Sequence, residues 1–312
     1  MSEKRRVGVV GVGYLGRFHA LIYSRMPDVE LVGVVDNDWE RAQQVAEEAG
    51  CDALRAPRDL LERVDAVSVV VPTSLHLEIA RPFLERGVAM LLEKPIASTV
   101  EQGAEIVRLA EASGALLQIG HLERFNAGVM ALAERISKPR FIEAHRMGEF
   151  VARATDVDVV SDLMIHDIDI ILSLVDSEIS SIAAVGTRVL TSHIDIANAR
   201  LEFVDGTVAN VIASRVSEQT MRRIRVFAEN RYESLDFVGQ TIDTAYPQPK
   251  LGEAWPEIVK QRIQVEPVKP LDAELRAFID SVRDGTPPLV DGRVGQKALE
   301  VAMQVKEKIL NS

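Results

Sequence analysis

Val7-Gly8-Val9-Val10-Gly11-Val12-Gly13-Tyr14-Leu15-Gly16 is the stretch on which the reading of this chain turns. Val7–Val10 is a short apolar run rich in β-branched residues. Such runs suit strands buried on both faces of a parallel sheet. Glycines follow at 11, 13 and 16, the G-x-G-x-x-G spacing, and a helix-compatible stretch comes next. Three glycines alone are a weak sign. Between a strand and a helix of one βαβ unit they describe a cradle for a dinucleotide. Gly11 permits the tight turn, Gly13 lets the backbone approach a pyrophosphate, and Gly16 lets helix and strand pack closely. The helix start at Tyr14 and Leu15 then offers unbonded N–H groups and a positive dipole end to the phosphates.

Working outward, the alternation continues. Leu31–Val35, Ala66–Val71, Met90–Leu92 and Leu116–Ile119 are further apolar runs. Trp39–Ala49 reads as a helix after a cap at Asn37 or Asp38. Leu75–Glu85 follows Ser74 and ends near Gly87, and Val100–Ser113 starts after Ser98-Thr99 and stops at Gly114. Strands alternating with helices predict an α/β, doubly wound parallel sheet of the Rossmann type over residues 1–120. Beyond residue 120 the rhythm changes. Arg140–Arg146, Ile179–Val189, Asp195–Phe203, Thr207–Ser214, Arg222–Ala228 and Tyr232–Phe237 read as strands, with a tight turn at Asp205-Gly206. Thr241–Trp255, with Pro247, Pro249 and Pro256 in or beside it, reads as a loop or sheet edge. Leu271–Arg283 and Arg293–Leu310 are amphipathic helices, the second able to return to the first domain. Residues 121–312 are therefore expected to form a second α/β domain with an open, mainly antiparallel sheet.

The chain has 312 residues, enough for two domains. Its formal charge of -11 argues against nonspecific binding to nucleic acid or an anionic membrane. Any anionic ligand must be met by basic residues gathered locally. Cys51 is the single cysteine, so no internal disulfide can form. Lys4-Arg5-Arg6 before an apolar run imitates a signal peptide, but the glycine spacing and the lack of a small-residue cleavage site reject that reading. No segment approaches a membrane span. These features predict a cytoplasmic protein.

Asp36 ends the second strand, 20 residues after Gly16. A carboxylate there bonds the adenosine ribose hydroxyls and repels a 2′-phosphate, which favours NAD over NADP; the competing role is a cap on the next helix. Arg41 is the nearest base. Val71-Pro72-Thr73-Ser74 closes a strand at its carboxyl edge, which places Pro72, Thr73 and His76 beside the nicotinamide, unless His76 faces solvent. Glu93-Lys94-Pro95 lies at the same edge. Lys94 can bind a substrate hydroxyl and assist proton removal, Glu93 can hold it, and Pro95 admits a cis peptide bond. Asp162 and His166 are four apart and share a helix face. His166 suits proton exchange near neutrality, and Asp162 orients it or a hydroxyl. Asp169 is a further partner. No third ligand completes a metal site, so none is expected. His121, Arg124 and Asn126 follow the last strand of the first domain and are substrate-binding candidates, with His121 alternatively a packed linker residue.

Taken together, Gly11-x-Gly13-x-x-Gly16, Glu93-Lys94-Pro95 and Asp162-x-x-x-His166 resemble the Gfo/Idh/MocA family, in order and spacing. The resemblance covers essentially the whole chain. It implies an NAD-dependent oxidoreductase in which Lys94, Asp162 and His166 form the catalytic group, His166 serving as acid/base. It also implies dimers or tetramers through the open sheet. Gly120–Asn126, Thr155–Val160, Asp162–Ile171 and Asp195–Arg200 are similar to a narrower group, bacterial UDP-N-acetylglucosamine 3-dehydrogenases, which oxidise a sugar 3-hydroxyl for lipid A synthesis. Ala127 departs from the proline that usually follows this asparagine. For such a substrate Arg124, Arg146, Arg153 and Arg215 are the candidates for the diphosphate. Other sugar or polyol dehydrogenases, an NAD-dependent glycoside hydrolase and a noncatalytic NAD-sensing regulator are the competing classes.

Overall fold

The computed structural model describes residues 4–151, 157–251, 254–266 and 268–311. Two units result: one runs to Leu122 and takes in Lys269–Leu299, and the other holds Glu123–Val268 and the chain from Glu300.

The first unit follows the alternation of its sequence. Its elements are β1 (Arg5–Val10), α1 (Tyr14–Tyr23), β2 (Val29–Val35), α2 (Trp39–Ala49), β3 (Asp52–Leu54), β4 (Ala66–Val69), α3 (His76–Glu85), β5 (Ala89–Glu93), α4 (Val100–Ser113) and β6 (Leu117–Gly120). All strand pairings are parallel, in the order β3-β2-β1-β4-β5-β6. β4 and β5 are buried at every residue, because helices cover both faces. Burying each such aliphatic side chain stabilises the fold by about 1.5–3 kcal/mol. The order reverses between β1 and β4, and at such a switch point the loops part and leave a crevice at the strand ends.

The second unit comprises α5 (Ala127–Arg135), β7 (Phe141–Met147), a π turn (Val160–Met164), α6 (Ile165–Leu174), β8 (Ile179–Thr187), β9 (Ile196–Phe203), β10 (Val208–Ser214), β11 (Met221–Ala228), β12 (Arg231–Asp236), β13 (Thr241–Gln248) and β14 (Glu257–Gln264). The sheet order is β14-β13-β12-β11-β7-β10-β9-β8, antiparallel except between β7 and β10. Strict alternation along β7 buries Ile142, Ala144 and Arg146 and leaves Phe141, Glu143, His145 and Met147 half-exposed. Gly206 adopts φ +84°, which glycine tolerates best, and turns β9 into β10. Asp195 pins the loop before β9: one carboxylate oxygen accepts the N–H groups of Val189, Leu190 and Thr191 at 2.7–2.8 Å.

The proline-rich stretch differs from its reading as a loop or edge. Thr241–Gln248 is β13, paired on both sides, and Pro247 faces Ile258 of the edge strand. Pro249 and Pro256 fall just outside strand limits, where a missing N–H costs little. The helices α7 (Pro270–Asp284) and α8 (Gly292–Leu310) close the chain. No helix among the described residues is long and apolar enough to cross a membrane.

Candidate active site

In the first unit the crevice at the β1/β4 switch is a cleft of about 490 Å³ bounded by Gly11, Gly13, Asp36, Arg41, Val71 and Pro72. Gly11 has φ +85°, and a Cβ on it would lie 2.3 Å from the Val70 carbonyl oxygen. A Cβ on Gly16 would lie 1.9 Å from the Gly11 oxygen, so no side chain fits where α1 meets its turn. Gly13 differs: a Cβ there would meet nothing nearer than Arg41 Nη1 at 3.8 Å, so its side is open to a ligand. No side chain caps α1 and its first turn holds no acid. Its N–H groups are thus left for an anion. Tyr14 is exposed and stacks edge-on against Phe18, while Leu15 is half-buried. This cradle fits a dinucleotide pyrophosphate.

Asp36 is buried in the same cleft. Its oxygens accept N–H bonds from Val12 at 2.8 Å and Asp38 at 2.9 Å. The cap of α2 is Asp38, which accepts the Arg41 N–H, so Asp36 is not the cap. Arg41 reaches Asp38 at 2.9 Å and Asp36 only at 3.8 Å. Two acidic groups therefore hold the nearest base. Cys51 is only half-buried, and its thiol is pushed up to about 11 by desolvation and then by Asp52, which excludes a reactive thiolate near neutrality.

Pro72 and Thr73 start a short 3₁₀ turn ahead of α3. His76 does not face solvent: it is 1% exposed, with its ring nitrogens 3.2 Å from the Ile96 oxygen and 3.0 Å from the Val71 oxygen. Burial lowers its pKa. Lys94, half-buried, follows the carboxyl end of β5, and the Lys94–Pro95 bond is cis. Glu93 holds the Lys94 backbone, accepting its N–H at 3.2 Å. The glycine at 120 makes room for that carboxylate, since a Cβ there would sit 2.9 Å from Glu93 Oε2. His121 beside it is buried.

In the second unit Asp162 lies in the π turn and His166 in the first turn of α6, both half-buried. Residues four apart share a face in either winding, and π turns gather at functional sites. Asp158 starts this segment. It accepts the N–H groups of Val160 and Ser161, and Lys306 holds its other oxygen at 2.7 Å. Asp162 lines a cleft of about 140 Å³ with Arg146, Arg215 and Arg222. Arg146 is committed elsewhere: it makes a bidentate pair with Asp167 at 2.9–3.0 Å and reaches Glu123 at 2.8 Å, all three inside the unit. Arg215 donates to the Val157 carbonyl. Arg124 reaches Asp169 at 3.3 Å. Asn126 caps α5, its amide oxygen taken by the Gly128 N–H at 2.9 Å. Arg153, with Thr155 and Asp156 of the Thr155–Val160 stretch, lies outside the described residues.

Two residues escaped the sequence reading. His19 faces Glu93 from α1, its Nε2 3.4 Å from Oε1. Glu274 of α7 is buried in the same unit. His19 shares a helical period with the buried Gly16, Ala20 and Tyr23, and a histidine on an apolar face is the signal that could have found it.

Fold and cleft together define a dinucleotide-binding oxidoreductase of two α/β units. A family model described as an oxidoreductase family with an NAD-binding Rossmann fold matches residues 5–121, and a GFO/IDH/MocA C-terminal domain model matches residues 130–232. The chain belongs to the Gfo/Idh/MocA family. It is 37% identical to a UDP-N-acetylglucosamine 3-dehydrogenase of Acidithiobacillus ferrooxidans, over 96% of each chain. A solved structure of that enzyme superposes with a TM-score of 0.92, covering 99% of this chain and 98% of that one. A scyllo-inositol 2-dehydrogenase (NAD(+)) of Bacillus subtilis is 30% identical over 70% of this chain and 69% of its own.

Proposed function

We propose that the chain is an NAD-dependent dehydrogenase that oxidises the 3-hydroxyl of UDP-N-acetylglucosamine. The observation that carries this reading is the end-to-end similarity to the Acidithiobacillus enzyme, at higher identity and wider coverage than the inositol relative. NAD, when bound, supplies the hydride acceptor. The turn from Gly11 to Gly16, with Tyr14 and Leu15, holds its pyrophosphate, and Asp36 holds the adenosine ribose and disfavours a 2′-phosphate. Pro72, Thr73, His76 and Glu93 flank the nicotinamide side.

Oxidation of a secondary alcohol removes a hydroxyl proton as the carbon gives up hydride. Lys94 binds that hydroxyl through its ammonium. His166 takes the proton, and Asp162 orients the imidazole or a neighbouring hydroxyl. His121, Arg124 and Asn126 serve the substrate side. Arg146 is excluded from the diphosphate by its buried partners, which leaves Arg215 and Arg153 among the arginines first considered. The first unit is the NAD-binding domain, and the second binds substrate and assembles copies of the chain. Phe141, Phe227 and Tyr232 stand side by side on the half-exposed face of β7, β11 and β12, a suitable patch for a homodimer or homotetramer. A 3-keto sugar nucleotide is ready for transamination, which fits a cytoplasmic step toward lipid A or another surface sugar.

The test is NADH formation on mixing protein and NAD with UDP-N-acetylglucosamine, other UDP-sugars, myo-inositol and scyllo-inositol. UDP-N-acetylglucosamine is expected to exceed either inositol in kcat/KM by about 10²-fold or more. Preference for an inositol overturns the substrate. Glycoside cleavage without net NADH identifies a hydrolase instead, and no hydride transfer to or from any of them supports a regulator.

A further inference from the structure

Beneath Lys94 the first unit buries a set of polar groups that the proposed chemistry does not use. Glu274 is 1% exposed, and neither of its carboxyl oxygens has a hydrogen-bond partner among the described residues. Gln118 donates to the Glu274 backbone carbonyl, while its own amide oxygen is buried without a partner. The Tyr23 hydroxyl pairs with Ser68 at 2.8 Å. His19 is fully buried, and its nearest ionic partner is Glu93 at 3.4 Å. A buried carboxyl with no donor is rare in native proteins and marks a group with a task.

Glu93 and Glu274 compete for one charge. Two carboxylates that feel each other in a medium of low dielectric cannot both ionise at little cost. Glu93 has the Lys94 N–H and the His19 ring to favour its charged form. Glu274 has neither, and burial first, then the charge of Glu93, raises its pKa well above the usual carboxylate range. The titratable groups that face Glu93 are His19 and Tyr23 from α1, His76 from α3, Glu274 from α7 and the adjoining Lys94. Tyr23 and His76 are buried and held in their uncharged forms, the first by desolvation against the pull of Ser68, the second by desolvation against two carbonyl contacts. His19 is thus the one facing group from another element that can offer Glu93 a charge-assisted bond.

We propose that His19 and Glu274 are positioning residues for Lys94: His19 holds Glu93 as the ionised acceptor of the Lys94 backbone N–H, and Glu274 keeps the proton that Glu93 gives up. An ionised acceptor bonds an N–H about twice as strongly as a neutral one. Protonating Glu93 therefore loosens the backbone that aims the lysine. The inference rests on Lys94 acting in the proposed reaction, but its first test does not need turnover.

Infrared difference spectra of wild type and Glu274→Gln at neutral pH should show a carboxylic acid C=O band in wild type that the variant lacks. If no such band is lost, Glu274 is not the proton holder and the inference fails, whatever the enzyme turns over. The second test is the pH profile of kcat/KM. In His19→Leu the acid limb should move up by about one pH unit or more, because Glu93 without its partner protonates more readily. His19→Gln, which keeps a donor, should restore most of the wild-type position. Glu274→Gln should leave the acid limb in place, since a neutral group replaces a neutral group. A uniform loss with an unmoved limb in a folded His19→Leu variant contradicts the positioning role. Should that variant fail to fold, the band and limb of Glu274→Gln decide: a downward shift of its limb means that Glu274 carried charge and overturns the scheme. Absence of turnover by wild type refutes the proposed function instead, and the infrared result stands apart from it.

Discussion

Lys94→Ala is expected to lower kcat/KM for UDP-N-acetylglucosamine by about 10²–10⁴-fold, the range typical for removing a positioned proton-transfer group. Lys94 follows the carboxyl end of β5, at the edge where an open α/β sheet binds ligands. Its backbone is fixed by Glu93, and Glu93 is fixed in turn by the space that Gly120 leaves. That much structure around one half-buried lysine has no purpose in a solvated turn. The alanine variant keeps the carboxylate, the cis bond and the strand, so NAD affinity by calorimetry and the melting temperature should stay near wild type. Lys94→Arg should not rescue the rate, because a planar fork cannot take the place of a compact ammonium at a single hydroxyl. Turnover of Lys94→Ala within about threefold of wild type, against the proton-transfer losses expected above, would remove the lysine from the chemistry.

The second large effect is on stability. Arg146→Met should destabilise the second unit by about 3–5 kcal/mol in urea unfolding, the usual loss when one partner of a buried ion pair is removed. Arg146 is 4% exposed and sits against Phe237, with its guanidinium 5.4 Å from the ring centre. It bonds both oxygens of Asp167, itself 2% exposed, and one oxygen of Glu123. Methionine fills the space of the stem and leaves Asp167 buried without its counterion. The double variant Arg146→Met, Asp167→Leu should recover most of the loss, since two apolar side chains desolvate at no electrostatic cost. A single-variant loss under about 1 kcal/mol, the value of an exposed pair, would show that water reaches this pair.

The first unit was legible because each of its elements has a local cause. β-branched runs made the strands, Asp38 and Thr99 capped α2 and α4 where the sequence implied a cap, and Gly114 closed α4 in the left-handed region. The helices Trp39–Ala49 and Val100–Ser113 keep the limits read from the sequence. β3, with three residues, is too short to leave a periodic mark. α5 was missed because Asn126 was read as a ligand group; an asparagine ahead of apolar Val129 and Leu132 is equally a helix cap. β13 was obscured by prolines, whose cost depends on where each N–H points, and β14, rich in charge and mostly exposed, lacks the alternation of a half-buried strand. Within the candidate site, the glycine turn, Asp36 and Lys94 stood out because backbone geometry and strand ends constrain residue type. The pairs His19–Glu93 and Arg146–Asp167 join residues distant in the chain, and no local pattern announces them.

The central claim is that a hydride leaves the sugar at C3. UDP-N-acetylglucosamine carrying deuterium at that carbon, incubated with the protein and NAD, should yield reduced cofactor one mass unit heavier, with the label at nicotinamide C4. Reduced cofactor without deuterium, or no reduced cofactor while both ligands bind, would contradict it.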